Sequence, residues 1–372
     1  MINNIAPGAK KLRDAYAVKK DAPVYMREFG FYSADRWIKE GHIKSAEDLH
    51  AICGFDEPGM HGLGNIGGCE APFEPSFDIE ILEDRGEHEV VRDAAGRSVL
   101  YFKGRRQGFM PEYINHPVKD FKSWETLCKW RLTPQNPARV IKINETIANT
   151  AAPAANGLML CQYIVGGYMY LRSLMGPEGL LFMFYDDPAL VRDCMETWFD
   201  VADFVTAEYQ KHYTLDEILF DEDICYNHGS LISPEMIDEF LMPYYKQLIE
   251  NIRKRQIDRD RRLFVYLATD GDCMPVIPIY QKIGVNHVAP FEAASNCDVV
   301  KAGAMYPDMV IGGGMDKREI AKGKTAIDKM VGRIMPVMKK RGGYIPTCDH
   351  GVPEEVAFDD YIHFRKRLSE YA

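Results

Sequence analysis

The sequence lacks a paired-cysteine motif. Its nine cysteines, Cys53, Cys69, Cys128, Cys161, Cys194, Cys225, Cys273, Cys297 and Cys348, are odd in number and widely spaced, with no CxxC pair. That excludes a disulfide framework and points to a reduced, cytoplasmic setting. Positive charge is also short. Forty-five Lys and Arg stand against 55 Asp and Glu, a net charge of -10. A nucleic-acid partner is excluded on that balance, because phosphate binding rests on clustered cations. The densest basic run, from Arg253 to Arg262, is interrupted by Asp258 and Asp260. It reads as the solvated end of a helix, with a binding patch as the alternative. No apolar run approaches the ~20 residues of a membrane helix. Met1 to Leu12 carry no apolar stretch of the kind a secretory signal needs. Neither export nor membrane association is therefore expected. Low-complexity tracts and internal repeats are missing too.

What is present is a large supply of core. Of 372 residues, 46% are hydrophobic. Single cores rarely grow beyond about 250 to 300 residues, so one barrel with an insertion, or two domains, are the options. A short apolar run, a polar or glycine-rich turn and an amphipathic helix recur along the chain, the pattern of α/β architecture. Strands are expected at residues 23–27, 158–165, 217–220, 263–267, 287–290, 309–311 and 344–346. The best-marked helix starts at Ser233, an N-cap followed by Pro234, and runs to about Arg253 with a kink at Pro243. Residues 77–82, 87–92 and 98–103 read as an antiparallel meander inserted early in the barrel, or as a small separate domain. Residues 53–75, rich in Gly and Pro, read as a long loop, so that 53–104 form one inserted loop and meander within a single domain spanning 1–372.

In parallel α/β barrels the chemistry sits at the C-terminal ends of the strands. The polar residues that follow each apolar run are Arg27 and Glu28, then Tyr168 and Arg172, then Asp221, Glu222 and Asp223. Asp270 and Asp272, Glu292, Asp316, and finally Asp349 and His350 complete the ring. Carboxylates brought close raise one another's pKa, and a carboxylate–imidazole set can also hold zinc. Each residue has a plainer alternative as a helix cap or loop salt bridge, favoured for Asp316 and Asp223 and balanced for Asp272. Asp270 and His350 read as functional, since each opens a turn straight after a strand. Gly312-Gly313-Gly314 lacks a phosphate-loop pattern and reads as a tight turn with close backbone approach. Cys225, Cys273 and Cys348 read as core filler rather than as zinc thiolates.

Several of these segments resemble the uroporphyrinogen decarboxylase superfamily. They are Asp223-Ile224-Cys225-Tyr226-Asn227-His228-Gly229 with Ile232-Ser233-Pro234, Thr269-Asp270-Gly271, and Gly312-Gly313-Gly314-Met315-Asp316. Gly342-Gly343-Tyr344-Ile345, leading to Asp349-His350-Gly351-Val352-Pro353, is the last. The resemblance covers about residues 20 to 372 and implies a single (β/α)8 TIM-type barrel with a cleft at the strand C-termini. True decarboxylases of the superfamily grip substrate carboxylates with two N-terminal arginines. Arg27 matches the first, and Phe31 stands at the second.

The other chemistry of the superfamily is methyl transfer to or from a corrinoid. Its zinc-thiolate members carry a His-x-Cys pair, where this chain has Ala268 and Asp270, with His350 near the later Cys. The resemblance is thus closer to the methyltransferase-like members. It implies a small methyl donor, for instance an aromatic O-methyl compound, and a corrinoid, free or on a partner protein. Glu222, Asp270 and His350 are the expected catalytic residues and, with zinc, the expected metal set. Arg27, Tyr168, Arg172 and Glu292 are the expected substrate contacts. A cofactor-free decarboxylase of a porphyrinogen or related carboxylate is the alternative, and a homodimer fits either.

Overall fold

The computed structural model describes residues 5–105 and 111–372. Its centre is a parallel sheet of seven strands with flanking helices, a TIM-like barrel. In chain order the strands are β1 (Met60–Ile66), β2 (Glu80–Arg85), β3 (His88–Arg92), β4 (Ser98–Phe102), β5 (Glu112–Asn115), β6 (Met159–Val165) and β7 (Glu217–Asp221). They continue as β8 (Cys225–Tyr226), β9 (Gly229–Ser230), β10 (Phe264–Ala268), β11 (His287–Phe291), β12 (Val310–Gly313) and β13 (Tyr344–Ile345). The parallel sheet runs β1-β6-β7-β10-β11-β12-β13. Its central strands are buried on both faces, as the continuous apolar runs of β6, β10 and β11 require.

Two expectations need correction. Residues 23–27 form no strand. They run extended along the seam of the barrel, where the Met26 N–H donates to the Asp56 carboxylate and the Glu28 carboxylate accepts from Cys348 N–H. The first barrel strand is instead β1, inside the stretch 53–75 that reads as a loop. Its sequence, Met-His-Gly-Leu-Gly-Asn-Ile, has no apolar run because Leu63 and Ile66 are its only fully buried side chains. Register with β6 (Met60 opposite Met159, Ile66 opposite Ile164) supplies what hydrophobic pattern does not. The meander is present, with a fourth strand, β5, beyond the three expected. The expected helix is capped by the Ser233 side chain, which accepts from Met236 N–H. It breaks at Leu241 into Pro234–Phe240 and Met242–Arg255, because Pro243 has no N–H to continue the ladder.

The core has two parts. The larger fills the space between sheet and helices. The smaller sits at the N-terminal end of the barrel, where Leu12, Ala15 and Tyr16 of the helix Pro7–Tyr16 meet Tyr25, Met159, Phe264, Val310 and Ile345. Burying side chains of this size stabilises by roughly 1.5–3 kcal/mol each. The helix thus plugs the bottom and leaves the C-terminal end as the open mouth. It lies so close to the chain before β1 that a Cβ on Gly8 would stand 2.0 Å from the Glu57 carbonyl oxygen. Among the described residues, no helix is long and apolar enough to cross a membrane.

Gly8→Ala is expected to push this plug outward and destabilise the fold by roughly 1–3 kcal/mol. A denaturant midpoint equal to that of the parent would show that the plug does not seat as described.

Candidate active site

Asp270 and His350 come together at the mouth. Each lies in the turn after its strand, β10 and β13. His350 Nε2 stands 3.6 Å from Asp270 Oδ2. That contact raises the His350 pKa, and the partial burial of the ring only partly opposes it. The imidazole therefore keeps its proton further into the neutral range than a free histidine. Phe29, with ring centroids 4.9 Å apart, and Tyr32, stacked at 6.2 Å, flank it. Both aromatic rings are exposed.

The two turns are held from below. Asp349, fully buried, accepts from Ala293 N–H (3.0 Å) and Lys317 N–H (3.2 Å), which fixes the residue next to His350. Glu292 accepts from Gly271 N–H (2.8 Å) and lies 3.6 Å from Lys317 Nζ. Its carboxylate braces the Asp270 turn rather than reaching freely into the mouth. The hairpin β8–β9 closes the other side, with Asp272 N–H donating to the Tyr226 carbonyl at 2.8 Å.

Glu222 is elsewhere. It follows β7 and is fully buried. Oε1 accepts from Tyr168 N–H (3.2 Å) and the Tyr280 hydroxyl (3.0 Å), and Oε2 accepts from the Tyr245 hydroxyl. Burial pushes its pKa up to about 7, against the lowering effect of the Tyr245 hydrogen bond. The expected set of Glu222, Asp270 and His350 is thus not assembled, because the tyrosines occupy the glutamate. Among the described residues, no group of three or more His, Cys, Asp or Glu side chains is arranged to hold a metal ion. Zinc does not fit these residues as they are placed, and no step below is routed through it.

The remaining expectations divide. Arg172 pairs with Asp223 at 2.8 Å and contacts the Met169 sulfur, so Asp223 takes its plainer role of salt-bridge partner. Tyr168 is buried, and its phenol is pushed up to about 12 by that burial. Arg27 is half-buried, and its charge is felt by Tyr16, Tyr266, Glu217 and His287. Its guanidinium has no carboxylate within ion-pair distance among the described residues. Asp316 caps the helix Lys317–Ala321 and pairs with Arg318. Asp272 caps its own turn through Met274 N–H. At the triple glycine, a Cβ on Gly314 would stand 2.2 Å from Val299, the close approach expected of a tight turn. Cys225, Cys273 and Cys348 are buried free thiols.

Sequence reasoning gave too little weight to Asp221. It is half-buried, bonded by the Tyr163 hydroxyl, and raised in pKa by burial and by the nearby Asp223 and Asp270. Its place at the end of a strand was visible, but its neighbours were not.

A family model described as uroporphyrinogen decarboxylase (URO-D) matches residues 90–371. The chain belongs to the uroporphyrinogen decarboxylase family. Among solved structures, a methyltransferase from Methanosarcina mazei superposes over 98% of each chain, with a TM-score of 0.59 at 11% identity. A xylanase B from Clostridium stercorarium F9 matches 58% of this chain and 72% of its own, with a TM-score of 0.31 at 11% identity. No curated protein matches the sequence. The first likeness establishes the fold over the whole barrel, and the second bears no weight.

Two outcomes follow for this family member. Asp270→Asn removes the charge that raises the His350 pKa, so the imidazole should lose its proton at a lower pH. Histidine NMR titration reads this, and an unshifted curve would mean the pair is not coupled. For Glu222 the sign is different. Between the ordinary 4.5 and about 7, the folded protein holds a proton that the unfolded chain has released. Stability therefore falls as pH rises through that window, by roughly 3 kcal/mol. In Glu222→Gln that slope should vanish, while overall stability drops because an amide N–H cannot accept from a tyrosine. Parallel slopes in urea melts of parent and variant would contradict the assignment.

Proposed function

We propose that this protein is a methyltransferase component that moves a methyl group from a small O-methyl donor to a corrinoid, free or carried by a partner protein. The observation that carries the proposal is the Asp270–His350 pair, solvent-accessible at the barrel mouth beside Phe29 and Tyr32. Breaking a methyl–oxygen bond leaves an oxygen anion, and that oxygen must take up a proton as the methyl group departs. His350, whose pKa the Asp270 contact raises, is the group that would supply it. General acids of this kind contribute roughly 10²–10⁴-fold in rate. Phe29 and Tyr32 offer flat faces to an aromatic donor, and Glu292 and Asp349 keep both turns in register. When bound, a reduced corrinoid supplies the electron pair that accepts the methyl group. The exposed rings of Phe29, Tyr32 and Tyr226 leave the mouth accessible to a partner that brings it. The full-length likeness to a protein described as a methyltransferase supports the same reading. We place the protein in the cytoplasm, and a homodimer is compatible with it.

Arg27 favours a second reading. A guanidinium without a carboxylate partner suits a carboxylate substrate, and loss of carbon dioxide also requires a proton to fill the vacated position. The same histidine serves both reactions, so substrate decides between them.

Anaerobic absorbance spectroscopy of cob(I)alamin with a panel of aryl and alkyl methyl ethers tests the proposal. Enzyme-dependent methylcobalamin should form with at least one donor, and His350→Ala should slow it by roughly 10²-fold or more while the fold stays intact. Parental rates in that variant would remove His350 from the mechanism. Carbon dioxide release from a porphyrinogen carboxylate, with no methylcobalamin from any donor, would replace the proposal with the decarboxylase reading.

A further inference from the structure

The basic run from Arg253 to Arg262 begins as the solvated end of the helix Met242–Arg255. The loop 256–263 folds back so that Arg253, Arg259, Arg261 and Arg262 line one cavity of about 590 Å³, with Gln256, Gln281 and Asn286. Leu263 and Val285 give it an apolar floor. It lies at the N-terminal ends of β10 and β11, opposite the mouth, so it is independent of the site above.

The charges in this cavity are unbalanced. Arg261 is engaged by Asp216 (3.4 Å) and Asp258 (3.8 Å). Its neighbour Arg255, outside the cavity, is engaged by Asp203 (2.8 Å). Arg253, Arg259 and Arg262 have no carboxylate within ion-pair distance among the described residues. This is notable in a chain with ten more acidic than basic side chains. Like charges gathered in one concavity repel, so the cluster does not serve stability. Two of these arginines rest against neighbouring groups. The guanidinium of Arg262 lies over the Phe264 ring at 5.0 Å. The Arg253 guanidinium lies against Gly284, where a Cβ would stand 2.6 Å from its Nη2. Residue 284 has a φ of +94°, a conformation that calls for glycine.

We infer that this cavity binds a small, multiply charged, phosphate-bearing molecule. Guanidinium groups match phosphate oxygens two at a time. The volume is in the range of small-ligand sites, roughly 300–1,000 Å³. The side-chain amides of Gln281 and Asn286 and the apolar floor suit an organic group attached to the phosphates. A concave site of this size fits such a molecule better than the surface of an acidic protein.

Inorganic triphosphate is the probe for the phosphate half of the claim, and a nucleoside triphosphate for the organic half. Calorimetric titration of the intact protein should show one saturable site for each, weakened by salt and tighter for the nucleotide. Arg253→Gln, Arg259→Gln and Arg262→Gln should each weaken triphosphate by roughly tenfold. Lys254→Gln, a cation on the neighbouring surface, should leave binding unchanged. These positions are exposed, so melting curves close to the parent's are expected and confirm that each variant is folded. No saturable binding, equal binding by all four variants, or binding of an acidic peptide in place of triphosphate would overturn the inference.

Discussion

One buried carboxylate joins the elements around the mouth. Glu222 follows β7 and takes hydrogen bonds from the start of the helix Gly167–Met175 and from tyrosines on the helices Met242–Arg255 and Ile277–Gln281. A buried carboxylate left without donors costs several kcal/mol, and three donors offset that cost here. The close approach of Gly166, where a Cβ would meet Glu222 at 2.0 Å, completes the enclosure. Because this carboxylate is used inside the wall, it is not offered to the cleft. Asp270 and His350 are left to pair with each other.

The electrostatics of the cleft follow from that division. Asp221, Asp223 and Asp270 stand close enough to raise the Asp221 pKa together with burial. Arg172 and His350 are the cations that face them. The upward shift of the His350 pKa is thus the natural product of an acidic mouth on a strongly acidic chain. Deeper in the barrel, Arg27 carries a charge of the opposite sign toward Glu217 and His287.

Much of this was legible before any coordinates. Strands with mostly apolar runs, such as β6, β10 and β11, are legible because both of their faces are buried. The ring of strand-end polar residues followed from the barrel, and it contained the pair that meets. Glu222 was legible as a strand-end carboxylate, but nothing in a sequence shows that two tyrosines 23 and 58 residues away hydrogen-bond its oxygens. β1 was invisible because backbone pairing with β6, not an apolar run, holds it. Residues 23–27 were misread for the opposite reason. Val24, Tyr25 and Met26 are apolar and buried, yet their backbone bonds go to Tyr371 and Asp56 and not to a neighbouring strand. The arginine run was legible as a solvated helix end, and the helix Met242–Arg255 does finish there with exposed cations; which of its arginines have carboxylate partners is a matter of three dimensions.

The central claim is that the mouth holds a two-residue proton site and that Glu222 belongs to the wall. Anomalous diffraction from crystals grown with zinc and measured at the zinc absorption edge tests that division directly. We predict that no ion is shared by Glu222, Asp270 and His350, and that Tyr245 and Tyr280 stay on the Glu222 carboxylate. An ion coordinated by all three residues, with the tyrosines displaced, would contradict the account.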